Sequence, residues 1–140
     1  MLENTEDKKF MTLVFDLVKK AVLENYGGHF GSIIVKNSQI ISEGTNQVNA
    51  INDPTAHGEI VAIRKAFKSL GTYYLSGCHL YTNCEPSTMC PSAYYWARID
   101  KIFFSLEKTD ADRIGFDDTY FYEKISKPFL LSTTYRWCNL

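Results

Sequence analysis

The sequence NDPTAHGEI at residues 52–60 decides the fold class, together with CEPSTMC at residues 84–90. Each segment leads into an apolar stretch with helical spacing, so each is expected to carry its polar side chains in the first turn of a helix. The first segment contributes His57 and Glu59, and the second contributes Cys90. Imidazole and thiolate are ligands that zinc prefers, and the positive end of a helix dipole stabilises a thiolate. The two segments therefore predict a metal centre between two helix starts.

Outside these segments the chain alternates helical and β-type patterns. The apolar spacing predicts helices over residues 5–24, 55–70, 87–98 and 110–114, and strands over residues 32–35, 39–42, 78–82 and 101–105. The first two strands form a hairpin, and the later strands alternate with helices, which implies parallel pairing through crossover connections. We therefore predict a single α/β domain over residues 1–140. Its architecture is three-layer α/β/α, with a mixed sheet that has an antiparallel front hairpin and a parallel remainder.

The composition of the chain argues against a nucleic-acid or membrane partner. The 140 residues are 45% hydrophobic and 22% charged with a net charge of −1, so there is no basic excess for gripping a nucleic-acid backbone. The polar N-terminus does not resemble a signal peptide, and the apolar runs are too short to cross a bilayer. Four cysteines in such a chain are typical of reduced thiols. We expect a cytoplasmic protein with no membrane and no nucleic-acid partner.

The residues of the two segments resemble the zinc-dependent nucleobase deaminases, whose signature is H-x-E followed by P-C-x-x-C. By this resemblance His57 and Cys90 are ligands of one Zn²⁺ per chain, and Glu59 is the catalytic acid and base. The family hydrolyses an amidine-like carbon with a zinc-activated water.

Longer strings are similar to bacterial guanine deaminases. They are NDPTAH (52–57), CEP (84–86), AYYWAR (93–98), TDA (109–111) and GFDD (115–118). The resemblance covers nearly the whole chain and implies a cytidine-deaminase-like fold and hydrolysis of a purine base, guanine to xanthine plus ammonia. It also implies a homodimer with exchanged C-terminal segments, although the tail over residues 127–140 is shorter than in that group.

The same resemblance assigns the substrate pocket. Asn46 and Asp118 are expected to contact the purine edge, and Phe30 and Trp96 to line the pocket. A carboxylate can accept the adjacent N1–H and amino group of guanine in two hydrogen bonds, and flat aromatic rings stack on a base. The alternatives are structural: a turn for Asn46, a helix cap for Asp118, and core packing for the two aromatic residues.

Ser87 departs from the family pattern, because it stands where the first zinc cysteine is expected. A serine hydroxyl is a neutral, hard oxygen, whereas a thiolate is a charged, soft donor matched to zinc. Three interpretations stay open. Zinc binds weakly with Ser87 or water as the third ligand; Cys84 moves in as a ligand; or the site holds no zinc.

Three other functions compete with guanine deamination. One is a zinc-poor, inactive or mutated deaminase-fold protein that only binds purines or a partner. Another is a tRNA adenosine deaminase, which shares the signature but is disfavoured by the acidic net charge and the lack of a basic C-terminal helix. A small-pyrimidine deaminase is compatible with Gly58, but the segment 115–118 favours a purine.

Overall fold

The computed structural model describes residues 4–113 and residue 115. Along this part of the chain the elements are α1 (Thr5–Leu23), β1 (Gly31–Lys36), β2 (Gln39–Thr45), α2 (Val48–Ile51), α3 (Gly58–Leu70), β3 (Cys78–Cys84), α4 (Met89–Ala97), β4 (Lys101–Leu106) and α5 (Lys108–Arg113). None of these helices combines the length and the apolar surface that a membrane span requires.

The four described strands form one mixed sheet with the order β2-β1-β3-β4. Strand β1 is antiparallel to both of its neighbours, while β3 and β4 pair in parallel. Strands β2, β3 and β4 consequently run in one direction, and α3 and α4 make the connections between them. This confirms the predicted fold class. Among the described residues, however, β3 and β4 are the one pair of strands that are hydrogen-bonded in parallel.

Helices cover both faces of the sheet, as predicted. Side chains alternate between the faces of a strand, so Ile33 and Val35 pack with α1 while Ile34 packs with α3 and α4. The α1 side also contains Phe10, Val14, Tyr81 and Phe103; the other side contains Ile60, Ile63, Leu80, Cys90 and Tyr94. The core is therefore divided into two clusters by the sheet.

Helix α3 lies against strand β2 at very short range, and Gly44 is the residue that permits this. A Cβ atom at Gly44 would collide with the carbonyl oxygen of Gly58 and would lie 2.5 Å from the backbone nitrogen of Ala62. The Ser42 hydroxyl donates a 2.7 Å hydrogen bond to the Ala62 carbonyl in the same contact. The start of α3 is thereby held against the backbone of the sheet, which sets the position of the first helical turn.

The helix predicted over residues 55–70 begins later, at Gly58. The reason is a local turn: the Asp53 carboxylate accepts hydrogen bonds from the Thr55 backbone N–H at 2.8 Å and from its hydroxyl at 2.7 Å. His57 is the extended N-cap residue of the helix, so it does not lie in the first turn. The preceding loop also contains the short helix α2, which the sequence analysis missed.

Helix α4 likewise starts later than predicted, at Met89, and leaves Ser87 in the loop before it. It ends at Ala97, where Arg98 adopts the left-handed conformation with φ 62°. The strand predicted over residues 101–105 and the other strands extend by a few residues at their ends. The aromatic segment after Gly115 and the C-terminal tail lie outside the described residues.

Candidate metal centre and adjoining cavity

The start of α3 and the loop before α4 meet at the carboxyl end of β3. His57 caps α3 and Glu59 lies in its first turn, while Ser87 precedes α4 and Cys90 lies in its first turn. His57 and Ser87 are half-buried, and Glu59 and Cys90 are buried. The structure therefore brings together all four residues that the sequence analysis assigned to the centre.

The donor atoms of three of these residues form a nearly equilateral triangle. His57 Nδ1 lies 3.4 Å from Ser87 Oγ and 3.7 Å from Cys90 Sγ, and Ser87 Oγ lies 3.6 Å from Cys90 Sγ. A tetrahedral zinc ion with bonds of about 2.0–2.3 Å holds its nitrogen, oxygen and sulfur ligand atoms about 3.4–3.6 Å apart. The positions of the donors therefore fit a tetrahedral metal ion.

The charges of the buried groups also fit a cation. Burial, reinforced by the neighbouring charge of Glu59, raises the pKa of the Cys90 thiol to about 12. Burial raises the pKa of Glu59 as well. The ligand atoms of His57, Glu59 and Cys90 all lie within 4.8 Å of one another, so without a cation both acids are held back from ionising. A divalent ion at this point would compensate two buried negative charges.

Cys84 is not part of this cluster. Its thiol contacts the Glu107 carbonyl oxygen at 3.9 Å, and burial raises its pKa to about 11. The donor next to His57 and Cys90 is the Ser87 hydroxyl. The described geometry thus supports Ser87, ahead of Cys84, as the third protein ligand.

A cavity of about 310 Å³ opens onto the metal centre. Its walls are formed by Phe30, Asn46, His57, Glu59, Thr82, Cys84, Glu85, Ser87, Lys108, Ala111 and Gly115. Small-molecule sites in proteins start at about 300 Å³, so the space is suited to a single small ring system.

Asn46 makes the turn that was one of its two predicted roles, and it also lies on the cavity wall. Its side-chain Oδ1 accepts a hydrogen bond from the Val48 backbone N–H at 3.1 Å, which is the turn role. Its backbone pairs with Gly28 and Phe30 at 2.9 Å each, which holds Phe30 beside it on the cavity wall. Oδ1 accepts in the turn, and the NH₂ group of Asn46 is the part of the side chain that can donate to a ligand.

The other two predicted substrate contacts have different outcomes. Trp96 does not line the cavity of the described residues: its side chain is 74% exposed and makes an edge-on contact with Tyr95. The reason is the register of α4, in which Cys90, Tyr94 and Ala97 form the buried face. Asp118 lies outside the described residues.

Several residues of the site were missed by the sequence analysis. Glu85 and Lys108 are joined by a 2.8 Å hydrogen bond from the Lys108 backbone N–H to the Glu85 carboxylate. Buried Asn83 accepts from the Gly31 backbone N–H and donates to the His29 carbonyl, both at 3.0 Å. Asn83 is the sixth residue of β3 and belongs to no recognisable motif, so only its long-range bonds reveal that it braces the segment carrying Phe30.

Comparisons with known proteins identify the relatives of this arrangement. The sequence model of the cytidine and deoxycytidylate deaminase zinc-binding region matches residues 4–106. The guanine deaminase of Bacillus subtilis is 50% identical over 119 residues, which cover 85% of this chain and 76% of that protein. Its crystal structure matches with a TM-score of 0.90 at 45% identity, covering 99% of this chain and 87% of the other.

Other relatives include a second guanine deaminase and a tRNA-specific adenosine deaminase. A guanine deaminase structure from Nitrosomonas europaea matches with a TM-score of 0.74 at 30% identity, covering 84% of this chain and 66% of the other. A tRNA-specific adenosine deaminase of Aquifex aeolicus is 49% identical over 75 residues, but these span only 54% of this chain and 50% of that protein. The resemblance expected from the sequence motifs is confirmed.

Proposed function

The chain belongs to the cytidine and deoxycytidylate deaminase family, and from this premise we propose that it hydrolyses guanine to xanthine and ammonia. The observation that carries the proposal is the convergence of four residues, His57, Glu59, Ser87 and Cys90, of which the first three line a cavity of about 310 Å³. The relative that matches over most of both chains is a guanine deaminase.

Zn²⁺ is the cofactor that this donor set suits, with His57, Cys90 and Ser87 as its protein ligands. When bound, zinc lowers the pKa of a water molecule from about 15.7 to about 7 and so supplies a nucleophile at neutral pH. Ser87 is the weakest of the three donors, because a neutral hydroxyl attracts the ion less than a thiolate does.

Glu59 carries the protons of the reaction in this proposal. Its burial raises its pKa, which moves the carboxyl toward the range in which it can take up and release a proton near neutral pH. Glu59 follows His57 by two residues in the sequence and lies on the cavity wall. From there it can move a proton from the nucleophile to the ring nitrogen and then to the departing ammonia.

In this proposal the guanine base binds to residues on the cavity wall. Phe30 offers an aromatic face for stacking, and the NH₂ group of Asn46 can donate to an acceptor on the purine. We further propose, from the sequence resemblance, that Asp118 accepts the N1–H and amino group of guanine.

We also propose a cytoplasmic homodimer. Three described cysteines, Cys78, Cys84 and Cys90, are free thiols, which is typical of a reducing compartment. The exposed rings of Tyr95 and Trp96, 69% and 74% accessible, form an apolar patch on α4 that a second copy can cover. Trp96 is therefore assigned to contacts between subunits, and an exchanged C-terminal segment remains part of this proposal.

A tRNA adenosine deaminase is the second candidate, favoured by the identity of 49% to the A. aeolicus protein over part of its length. The net charge of −1 argues against it, because RNA binding depends on a basic surface that neutralises phosphates. A zinc-poor protein that only binds purines is the third candidate, and Ser87 is its motivation.

Purified chain assayed with guanine tests the proposal. We expect one zinc per chain in zinc-buffered solution and equal amounts of xanthine and ammonia, with no product from adenine, cytidine or tRNA. Glu59→Gln should retain zinc and lose product formation by at least a hundredfold, because it cannot carry the proton. Zinc binding without turnover of guanine would overturn the assigned substrate, and inosine formed in tRNA would favour the second candidate.

A further inference from the structure

The buried hydroxyl of Tyr94 has no hydrogen-bond partner among the described residues. The residue lies in the middle of α4 and is only 2% exposed, within the apolar cluster between α3 and the sheet. Buried hydroxyl groups in folded proteins nearly always have a partner, and leaving one unsatisfied is unfavourable. A phenylalanine would fill the same space without this cost, so the hydroxyl calls for an explanation.

Tyr94 lies one helical turn beyond Cys90 on the same buried face of α4. Long side chains on a helix lean toward its N-terminus, which directs the ring of Tyr94 past Cys90 and toward the start of α3. Glu59 is the buried acid at that place, and its carboxylate lies within 4.8 Å of the Cys90 sulfur. Burial, followed by the charges of Glu59 and Cys90, raises the pKa of Tyr94.

Metal binding changes which groups beside Glu59 can donate a hydrogen bond. Two side chains lie where they can donate a hydrogen bond to the Glu59 carboxyl, the Cys90 thiol and the Tyr94 hydroxyl. A cysteine bound to zinc is a thiolate and has no proton to donate. The Tyr94 hydroxyl is then the side-chain donor that the described residues place near Glu59.

We propose that Tyr94 is a positioning residue of the metal centre, whose hydroxyl donates a hydrogen bond to the Glu59 carboxylate when the metal is bound. This role rests on the proposed zinc-dependent function. The bond fixes the orientation of Glu59 and leaves its second oxygen to carry protons. The Tyr94 hydroxyl lies beside Glu59 but makes no hydrogen bond of normal geometry among the described residues, and in this proposal metal binding is what closes the bond.

Tyr94→Phe tests this role, because it removes the hydroxyl and keeps the ring. In metal-free protein we expect the melting temperature to rise by about 3 °C, since an unsatisfied buried group has been removed. In zinc-loaded protein that gain should vanish or reverse, because there the hydroxyl has a partner. The increase in melting temperature caused by zinc is therefore smaller in Tyr94→Phe than in the unaltered chain, and this measurement does not depend on activity.

Kinetics supply the second readout. We expect kcat for guanine to fall about tenfold in Tyr94→Phe with KM changed less than twofold, as is typical when a group that orients a catalytic residue is lost. Tyr73→Phe is the matched control: Tyr73 lies in the loop after α3 and is 69% exposed, so the same change there should alter neither quantity. On a Glu59→Ala background, Tyr94→Phe should no longer reduce the effect of zinc on the melting temperature.

The results separate the two proposals. If the unaltered chain binds zinc and deaminates guanine but Tyr94→Phe shifts both melting temperatures equally and retains kcat, the role of Tyr94 is overturned and the proposed function stands. If the unaltered chain binds no zinc, the proposed function fails and the role of Tyr94 fails with it. A loss of zinc binding in Tyr94→Phe together with a lower metal-free melting temperature would show a purely structural residue and would also overturn the role.

Discussion

Replacing Ser87 with cysteine addresses the weakest point of the metal centre directly. The Ser87 hydroxyl oxygen lies 3.4 Å from His57 Nδ1 and 3.6 Å from Cys90 Sγ. A thiolate sulfur at the same position completes a triad of one nitrogen and two sulfur donors with the spacing that tetrahedral zinc requires. The loop before α4 already presents the side chain toward the other donors, so the substitution needs no new backbone conformation.

The size of the effect follows from the number of ligands. Structural zinc sites with four protein ligands bind with about 10–16 kcal/mol, which is about 2.5–4 kcal/mol per ligand. Since about 1.4 kcal/mol corresponds to a factor of ten, exchanging a weak hydroxyl donor at Ser87 for a thiolate should raise zinc affinity by roughly 10²–10³. The gain should be largest at neutral and higher pH, because the incoming thiol must lose its proton to bind.

Competition with a chromophoric chelator at fixed pH measures this affinity, and release of xanthine from guanine measures the consequence for activity. Ser92→Cys is the matched control, because Ser92 is an exposed residue of the same helix and adds the same thiol away from the centre. We expect Ser87→Cys to bind zinc tightly and Ser92→Cys to bind it like the unaltered chain.

The reasoning would be refuted by equal zinc affinity in Ser87→Cys and the unaltered chain. That result would show that residue 87 does not face the ion, whatever its distances to His57 and Cys90. A Ser87→Cys variant that binds zinc more tightly but turns over guanine more slowly would show instead that the hydroxyl has a role of its own in the reaction.

Three further predictions concern the surroundings of the centre. Gly44→Ala should lower the free energy of unfolding by about 2–3 kcal/mol in urea titrations, because the added methyl group collides with the Gly58 carbonyl; a loss below about 0.5 kcal/mol would contradict the close contact. Asn83→Ala should lower the free energy of unfolding by about 2–4 kcal/mol, because it leaves two backbone groups without a partner. It should also raise KM for guanine, because the backbone beside Phe30 is no longer held in place. An unchanged KM would contradict the link between Asn83 and the cavity. Cys84 should react with iodoacetamide at pH 7.5 roughly 100-fold more slowly than in the unfolded chain, because its pKa is raised from 9.0 to about 11 and less of the thiol is ionised. Peptide mapping by mass spectrometry measures the rate. Equal rates in the folded and the unfolded chain would contradict the burial of this thiol.

Local sequence was sufficient for every described element except the short helix α2 and for the place of the candidate centre. Alternation with period 2 and apolar spacing near 3.6 are properties of consecutive residues, and they predicted the helices and strands to within a few residues. The segments 52–60 and 84–90 combine this pattern with metal-binding side chains, so they indicated His57, Glu59 and Cys90 without any knowledge of the tertiary fold.

Helix starts were placed too early because local hydrogen bonds compete with helix formation. The turn closed by the Asp53 carboxylate delays α3 until Gly58, and sequence spacing alone does not distinguish such a turn from a first helical turn. Sequence similarity also did not show which side of α4 carries Trp96. The burial of Cys90 and Tyr94 decides this, and it leaves Trp96 on the exposed side of the helix.

The sequence by itself indicated the fold class, the family and the four residues of the candidate centre, with Ser87 in the place of the expected cysteine, because these depend on periodicity and on residue types at short spacing. Only the tertiary structure decided that Ser87 completes the donor triangle and that Asn83 braces the cavity wall. It also decided that the Tyr94 hydroxyl lies beside Glu59 with no hydrogen-bond partner among the described residues. Each of these facts joins residues from different elements, and such contacts exist only after the sheet has brought the ends of α3, β3 and α4 together.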